Sequence, residues 1–275
     1  ISEKVARKGI EKVLDFFSRD PEMRRRVRIF ISEGEAKRIL DVQPRIEDYS
    51  SIYLARLPTN SSQNSRMVHK TDLGEALNFI HSGHDFALPK VVATKDEIKT
   101  SGAAAFKGDR MVGWLDELEL EAVKFIRNIY IGGVVVTKIP GVEDGIMLLE
   151  VNKAQCKIIP IVEGDDGENI LFKVQIEVEG DYSENVNLHT HGKMDAAFIA
   201  EVEKAFASEV RRVCEKTVKK VQKDMGADVF HFDHILEIKK PRVWKRIGPK
   251  WDAVFPNVQV EVEVDVDIGL IGNVK

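Results

Sequence analysis

From Lys193 to Met225 apolar residues return at every third, fourth or fifth position: Met194, Phe198, Val202, Phe206, Val210, Val213, Val218, Val221 and Met225. This is helical periodicity, sustained for roughly 50 Å at 1.5 Å per residue. Gly192 precedes the run and Gly226 follows it as a natural C-terminal residue, while Lys219, Lys220 and Lys223 occupy the last turns, where the helix dipole favours cations. Because the steps average somewhat more than 3.6 residues, the apolar stripe turns about the helix axis. One flat sheet cannot cover such a stripe along its whole length; a twisted, wrapping sheet can. The run reads first as a core helix and second as a helix that binds a partner.

Strands capable of wrapping it flank the helix on both sides. Val134 to Ile139, Ile146 to Gln155, Cys156 to Val162 and Ile170 to Glu179 precede it. In the last of these Phe172, Val174, Ile176 and Val178 alternate with Lys173, Gln175, Glu177 and Glu179, so one face is buried and one is wet. Asp165-Asp166-Gly167 is a hairpin signal between two of them. After the helix, Val258 to Ile268 alternates valine and isoleucine with Gln259, Glu261, Glu263, Asp265 and Asp267. Mostly antiparallel strands around one helix make an α+β domain rather than a doubly wound parallel sheet.

The first part of the chain is a mixed α/β region. A helix is expected over residues 2 to 17, a short strand at Arg26 to Ser32, helices at Glu35 to Leu40 and Pro44 to Leu57, and a polar loop from Pro58. Thr71 is placed to cap a helix through Ile80 that Gly83 ends, with Pro89 blocking continuation and a strand at Lys90 to Ala93. Gly108-Asp109 joins two short runs, Gly102 to Phe106 and Arg110 to Leu115, into a hairpin, and Asp116 opens a helix through Asn128. The expected division is 1–97 and 98–275, with the junction at Lys95 to Lys99.

A formal net charge of −4, with both signs mixed through the sequence, gives no reason to expect nucleic acid as a partner. Cys156 and Cys214 are too few for a disulfide framework, and each sits in an apolar pattern where it packs as a small hydrophobe; one bridge between them is left open. No run reaches the 18 or so apolar residues that span a bilayer. The chain starts at Ile1 within an amphipathic pattern and without an initiator Met, which reads as a truncated polypeptide; any targeting segment would lie upstream.

Few residues suggest chemistry. The acidic strand face diverges along 6 to 7 Å steps and reads as a solvated surface paired with lysines such as Lys153, Lys157 or Lys173, rather than as a calcium site. His81 and His84, His189 and His191, and His231 and His234 are spaced so that a pair could supply two zinc ligands, but no third ligand follows from spacing. Zincin, nucleophile-elbow, P-loop and dinucleotide motifs are absent, so nothing supports an enzyme and no cofactor is expected. The stretch Ser32 to Gly34 reads as a structural turn rather than a phosphate-binding one. Trp244, Trp251 and Phe255, with Arg242, Lys245 and Arg246 beside them, form a candidate partner-contact patch, although aromatic residues in that pattern also pack as core.

Several pieces in order resemble the C-subunit lipoproteins of bacterial spore nutrient-germinant receptors, the Ger(x)C family. They are Ser101 to Phe106, Asp109 to Leu115 and the Glu-rich helix after it, the long helix, Met225 to Phe230, the spacing Trp244, Trp251, Phe255, and the final strand ending at Gly269. Arg26 to Ile31, the helix at Glu35 to Leu40 and Leu88-Pro89 carry the resemblance into the first half. The resemblance implies a non-catalytic protein held by an upstream lipid anchor on the outer face of the spore inner membrane. It also implies assembly with two membrane-embedded subunits of a receptor that senses nutrients and triggers germination. The contrasting expectation is a surface-anchored solute-binding protein that captures a small nutrient between domains; the chain lacks the repeated β-α units usual in such binders.

Overall fold

The computed structural model describes residues 1–20, 22, 24–44, 47–57, 71–138, 145–163, 169–184 and 196–271. The polar loop from Pro58, the turn at Asp165 to Gly167, His189, His191 and the first residues of the long helix lie outside the described residues. The fold is α+β, with two four-stranded sheets, ordered β1-β2-β3-β4 and β5-β6-β7-β8. The chain divides into two compact units: Ile1–Leu120 with Lys219–Asn257, and Glu121–Val218 with Val258–Lys275.

The first unit opens with α1 (Glu3–Ala6) and α2 (Glu11–Ser18), where one helix was expected. Gly9 separates them at φ +120°, and a Cβ there would lie 2.4 Å from the Asp109 carboxylate, so only glycine fits the break. The strand expected at Arg26 to Ser32 is reduced to β1 (Ile31–Ser32), its earlier residues contributing only an isolated bridge from Arg28 to Asp72. Three helices follow: α3 (Ala36–Asp41), α4 (Ser50–Arg56) and α5 (Leu73–Ser82). Asp72, not Thr71, caps α5, its carboxylate accepting the Glu75 N–H at 3.0 Å, and Gly83 closes it.

β2 (Phe86–Ala93) runs straight through Pro89 because the ladder shifts register there, which removes the demand for a proline N–H. It pairs with β3 (Ile98–Lys107), which turns at Gly108-Asp109 into β4 (Arg110–Leu115). Lys95 to Lys99, where the junction was expected, covers the connection from β2 and the first two residues of β3. Ile10, Leu14, Leu73, Leu77, Phe86 and Phe106 are among the buried residues that close this core.

The chain passes from the first unit to the second within α6 (Glu117–Ile126), whose Asp116 and Glu119 hold each other's backbone N–H at 2.8 Å in a reciprocal capping box. These capping residues belong to the first unit, and the body of the helix continues into the second. β5 (Gly133–Lys138) and β6 (Ile146–Glu163) follow; β6 is one strand of 18 residues where two were expected, bent at a register shift near Asn152. β7 (Asn169–Glu184) is antiparallel to β6, and β8 (Gln259–Ile271) is parallel to β7.

Register aligns whole rungs of the sheet. Ile158, Val174 and Val262 share one, and Cys156, Ile176 and Val264 the next; between them Lys157, Gln175 and Glu263 point to the opposite face. On that wet face Lys173 meets Glu261 at 3.5 Å and Lys153 meets Glu179 at 2.8 Å.

α7 (Ala196–Lys220) buries Val202, Phe206, Val210, Cys214 and Val218. These fall four residues apart, so each step overshoots an ideal turn by about 40° and the buried line rotates, as its sequence spacing predicts. Glu203 accepts the Ile268 N–H at 3.3 Å, tying the helix to β8. Both thiols are free; burial pushes Cys156 up to about 12 and Cys214 higher still, the latter also through the neighbouring Cys156, so neither is a reactive thiolate. The helix ends in a π-turn, Val221–Met225, closed by the Gly226 N–H on the Val221 carbonyl at 2.9 Å.

Candidate functional site

The segment after the π-turn folds into α8 (Phe232–Lys239), α9 (Pro241–Ile247) and α10 (Trp251–Val254) and carries every sequence-predicted contact residue. Pro241 starts α9 at a position where its missing N–H costs nothing. The structure splits the predicted patch. Trp251 is 8% exposed and Phe255 1%, so both are core residues and not surface anchors. The reason is polar as well as apolar: the Trp251 indole N–H donates to Asp228 Oδ2 at 3.1 Å, and the Phe255 carbonyl accepts from Gln222 Nε2 at 3.0 Å. Trp244 stays half-buried, its ring at 5.7 Å from that of Trp251 and lying over Gly248, where a Cβ would sit 2.9 Å from the indole. Arg242, Lys245 and Arg246 are exposed, at the i, i+3 and i+4 positions of one helix face.

Beneath this patch lies a buried polar centre that the sequence did not single out. Asp228 accepts N–H groups from Phe232 at 3.2 Å and Asp233 at 2.8 Å besides the Trp251 indole. Its own N–H donates to Asp85 Oδ2 at 2.7 Å, and Asp85 Oδ1 accepts the Gly108 N–H at 3.0 Å. Burial raises the pKa of Asp85 to about 6, against the two N–H donors that lower it. Asp228 is also raised, by burial first and then by Asp233, more than its backbone donors offset. His84 Nδ1 sits 2.7 Å from Asp233 Oδ2, and His231 Nε2 is 3.0 Å from the Asp85 carbonyl, with His231 itself at φ +62°.

The His231-x-x-His234 and His84 residues do come together: the His84 ring is 5.7 Å from His231 and 5.4 Å from His234. His84 stacks on His231 and meets His234 edge to face, and His84 and His231 are partners of the Asp233 carboxylate and the Asp85 carbonyl. Among the described residues no group of three or more His, Cys, Asp or Glu side chains has the arrangement to hold a metal ion. What the centre does is hold the 226–257 segment against β2 and the β3–β4 turn, within one compact unit. The signal for it in the sequence was the unexplained Met225 to Phe230 run, whose aspartate is the hub.

One cavity of about 140 Å³ lies elsewhere in the same unit, lined by Ile1, Leu14, Phe17, Ile29, Phe30 and Leu73, with Arg28 as its charged member. It is small and almost wholly apolar, which suits neither the charged ends of an amino acid nor a sugar. No helix among the described residues is long and apolar enough to cross a membrane.

Two family models match the chain in order: a spore germination protein N-terminal domain over residues 1–93 and a spore germination B3/GerAC-like C-terminal domain over residues 101–272. Spore germination protein YndF of Bacillus subtilis is 35% identical over 268 residues, covering 97% of this chain and 65% of YndF. The chain thus spans about two thirds of that relative's length. Spore germination protein B3 of the same organism is 25% identical over 261 residues, covering 93% of this chain and 68% of the relative. The crystal structure of the GerBC protein superposes with a TM-score of 0.78 over 98% of this chain and 77% of that one, at 19% identity, which establishes the shared fold.

Proposed function

The chain belongs to the spore germination B3/GerAC-like family, and from that premise we propose that it works as the C-type subunit of a spore nutrient-germinant receptor. In this reading it is non-catalytic. It is held at the outer face of the spore inner membrane by a lipid anchor upstream of Ile1, and it transmits nutrient sensing through contacts with two membrane-embedded subunits. The single observation that carries the reading is the ordered pair of family matches, which together span nearly the whole chain. The chemistry of the folded chain supports it: the buried Asp85 and Asp228 serve as acceptors for backbone and indole N–H groups, an architectural use of carboxylates. The exposed face of α9, with Arg242, Lys245, Arg246 and the rim of Trp244, is the surface turned to the receptor's membrane side.

The solute-binding alternative gains nothing from the small apolar cavity. The deciding experiment is made in spores: the full-length protein carrying an affinity tag is extracted from spore membranes with detergent, and nutrient-triggered germination is followed with the gene intact and deleted. Two integral membrane proteins are expected to co-purify, and deletion is expected to abolish the response to at least one nutrient. Normal germination with every nutrient after deletion, or recovery of the tagged protein alone, refutes the assignment.

A further inference from the structure

In a protein with a formal net charge of −4, the twelve residues from Lys239 to Lys250 carry Lys239, Lys240, Arg242, Lys245, Arg246 and Lys250 and not one Asp or Glu. The structure leaves all six exposed on α8, α9 and the turn that follows. Among the described residues the side chains of Lys240, Arg242, Lys245 and Lys250 make no ion pair. Two apolar side chains accompany them: Ile238 is 64% exposed at the end of α8, and Trp244 is held half out of the core between Gly248 and Trp251.

From this juxtaposition we propose that the α8–α9 corner docks directly on an anionic lipid surface, the cations on the headgroups and Ile238 with the Trp244 edge at the acyl boundary. Lysine and arginine stems lie along such a boundary with their charges in the headgroup layer, and an indole with one buried face and one wet edge is suited to the same depth. Its cations are exposed on long, flexible stems, which fits a laterally fluid array of negative charge better than a fixed set of carboxylates on a protein. The isoleucine gives the surface an apolar element that an acidic polypeptide has no use for. The proposal rests on the reading that this face is turned to the membrane, and it adds the lipid itself as a ligand, independent of any covalent anchor.

The test uses the 275-residue chain and sedimented vesicles of phosphatidylcholine alone or mixed equally with phosphatidylglycerol. Binding is expected to the anionic vesicles only and to weaken as salt rises. At about a factor of five per cation, Arg242→Gln/Lys245→Gln/Arg246→Gln lowers partitioning about 100-fold, whereas the charge-matched Lys12→Gln/Lys204→Gln/Lys216→Gln changes it less than threefold. Tryptophan emission shifts to the blue on binding, and Trp244→Phe removes that shift. The proposal is overturned by absence of binding at low salt, by equal losses in the two triple variants, or by soluble polyglutamate binding as tightly as the vesicles, which would assign the corner to an acidic polypeptide. If vesicles fail while the two membrane proteins still co-purify from spores, the lipid contact falls and the receptor assignment stands.

Discussion

The unit of β5 to β8 and the unit of β1 to β4 close sheets of equal strand number by different means. In the former, alternation does nearly all the work: Phe172, Val174, Ile176 and Val178 are buried, their neighbours are wet or at the edge, and each rung repeats the choice across β6, β7 and β8. In the latter, strands are shorter, and the segment that completes the unit is tied in by a hydrogen bond between residues 143 apart, from Asp228 to Asp85. The first kind of sheet distributes its stability over many equivalent contacts. The second concentrates it in a few that have no substitute.

Four measurements probe that contrast. The largest effect is expected for Trp251→Ala, which opens a cavity and removes an indole donor from Asp228; a loss of about 4 kcal/mol in denaturant unfolding is expected, and a loss under 1 kcal/mol would return Trp251 to the surface. Asp228→Ala leaves the N–H groups of Phe232 and Asp233 and the Trp251 indole without their acceptor, and on the order of 3 kcal/mol should follow. If Asp228→Ala instead costs no more than a single rung of the other sheet, the contrast between the units collapses.

Asp85 gives a smaller effect with a definite sign. Its folded pKa, about 6, stands above the ordinary value of 3.8, so the folded state holds the proton more tightly. The associated stability is therefore fully present below about pH 4 and is lost as pH rises through 6, on the order of 2 kcal/mol after screening of a partly exposed group. The stability of the wild type minus that of Asp85→Asn should fall between pH 4 and 7, read by chemical denaturation at each pH; a difference that rises would refute the assignment of the shift to burial. Smallest is Ile176→Val, one methylene from one rung, at about 1 kcal/mol.

The same contrast explains what could be read from the sequence. Period two at Val258 to Ile268 and Ile170 to Glu179, and the turning stripe from Val202 to Val218, each state a local rule many times over, so strands, faces and helix were visible. The ordered fragments likewise pointed to the family to which the chain belongs. Single-residue events were not visible: the break at Gly9, the exchange of Thr71 for Asp72 as cap, and the passage of β2 through Pro89 each depend on a contact or register made far away. At the contact patch, aromatic identity located the segment, but Trp251 and Phe255 went inside because Asp228 and Gln222 hold them there. No spacing within residues 244 to 255 encodes partners at 228 and 222.

The unit containing β1 to β4 is assembled from two stretches of chain, with residues 121–218 of the other unit inserted between them. On a ribosome adding about 5 to 20 residues per second, Asp85 emerges roughly 7 to 30 s before the Asp228 N–H that it must bind. During that interval the early sheet lacks the segment that completes it, while the intervening β5–β7 hairpins can form from local sequence. Synthesis thus imposes an order on this molecule: residues 1–120 leave the ribosome well before residues 219–257, which complete the same unit.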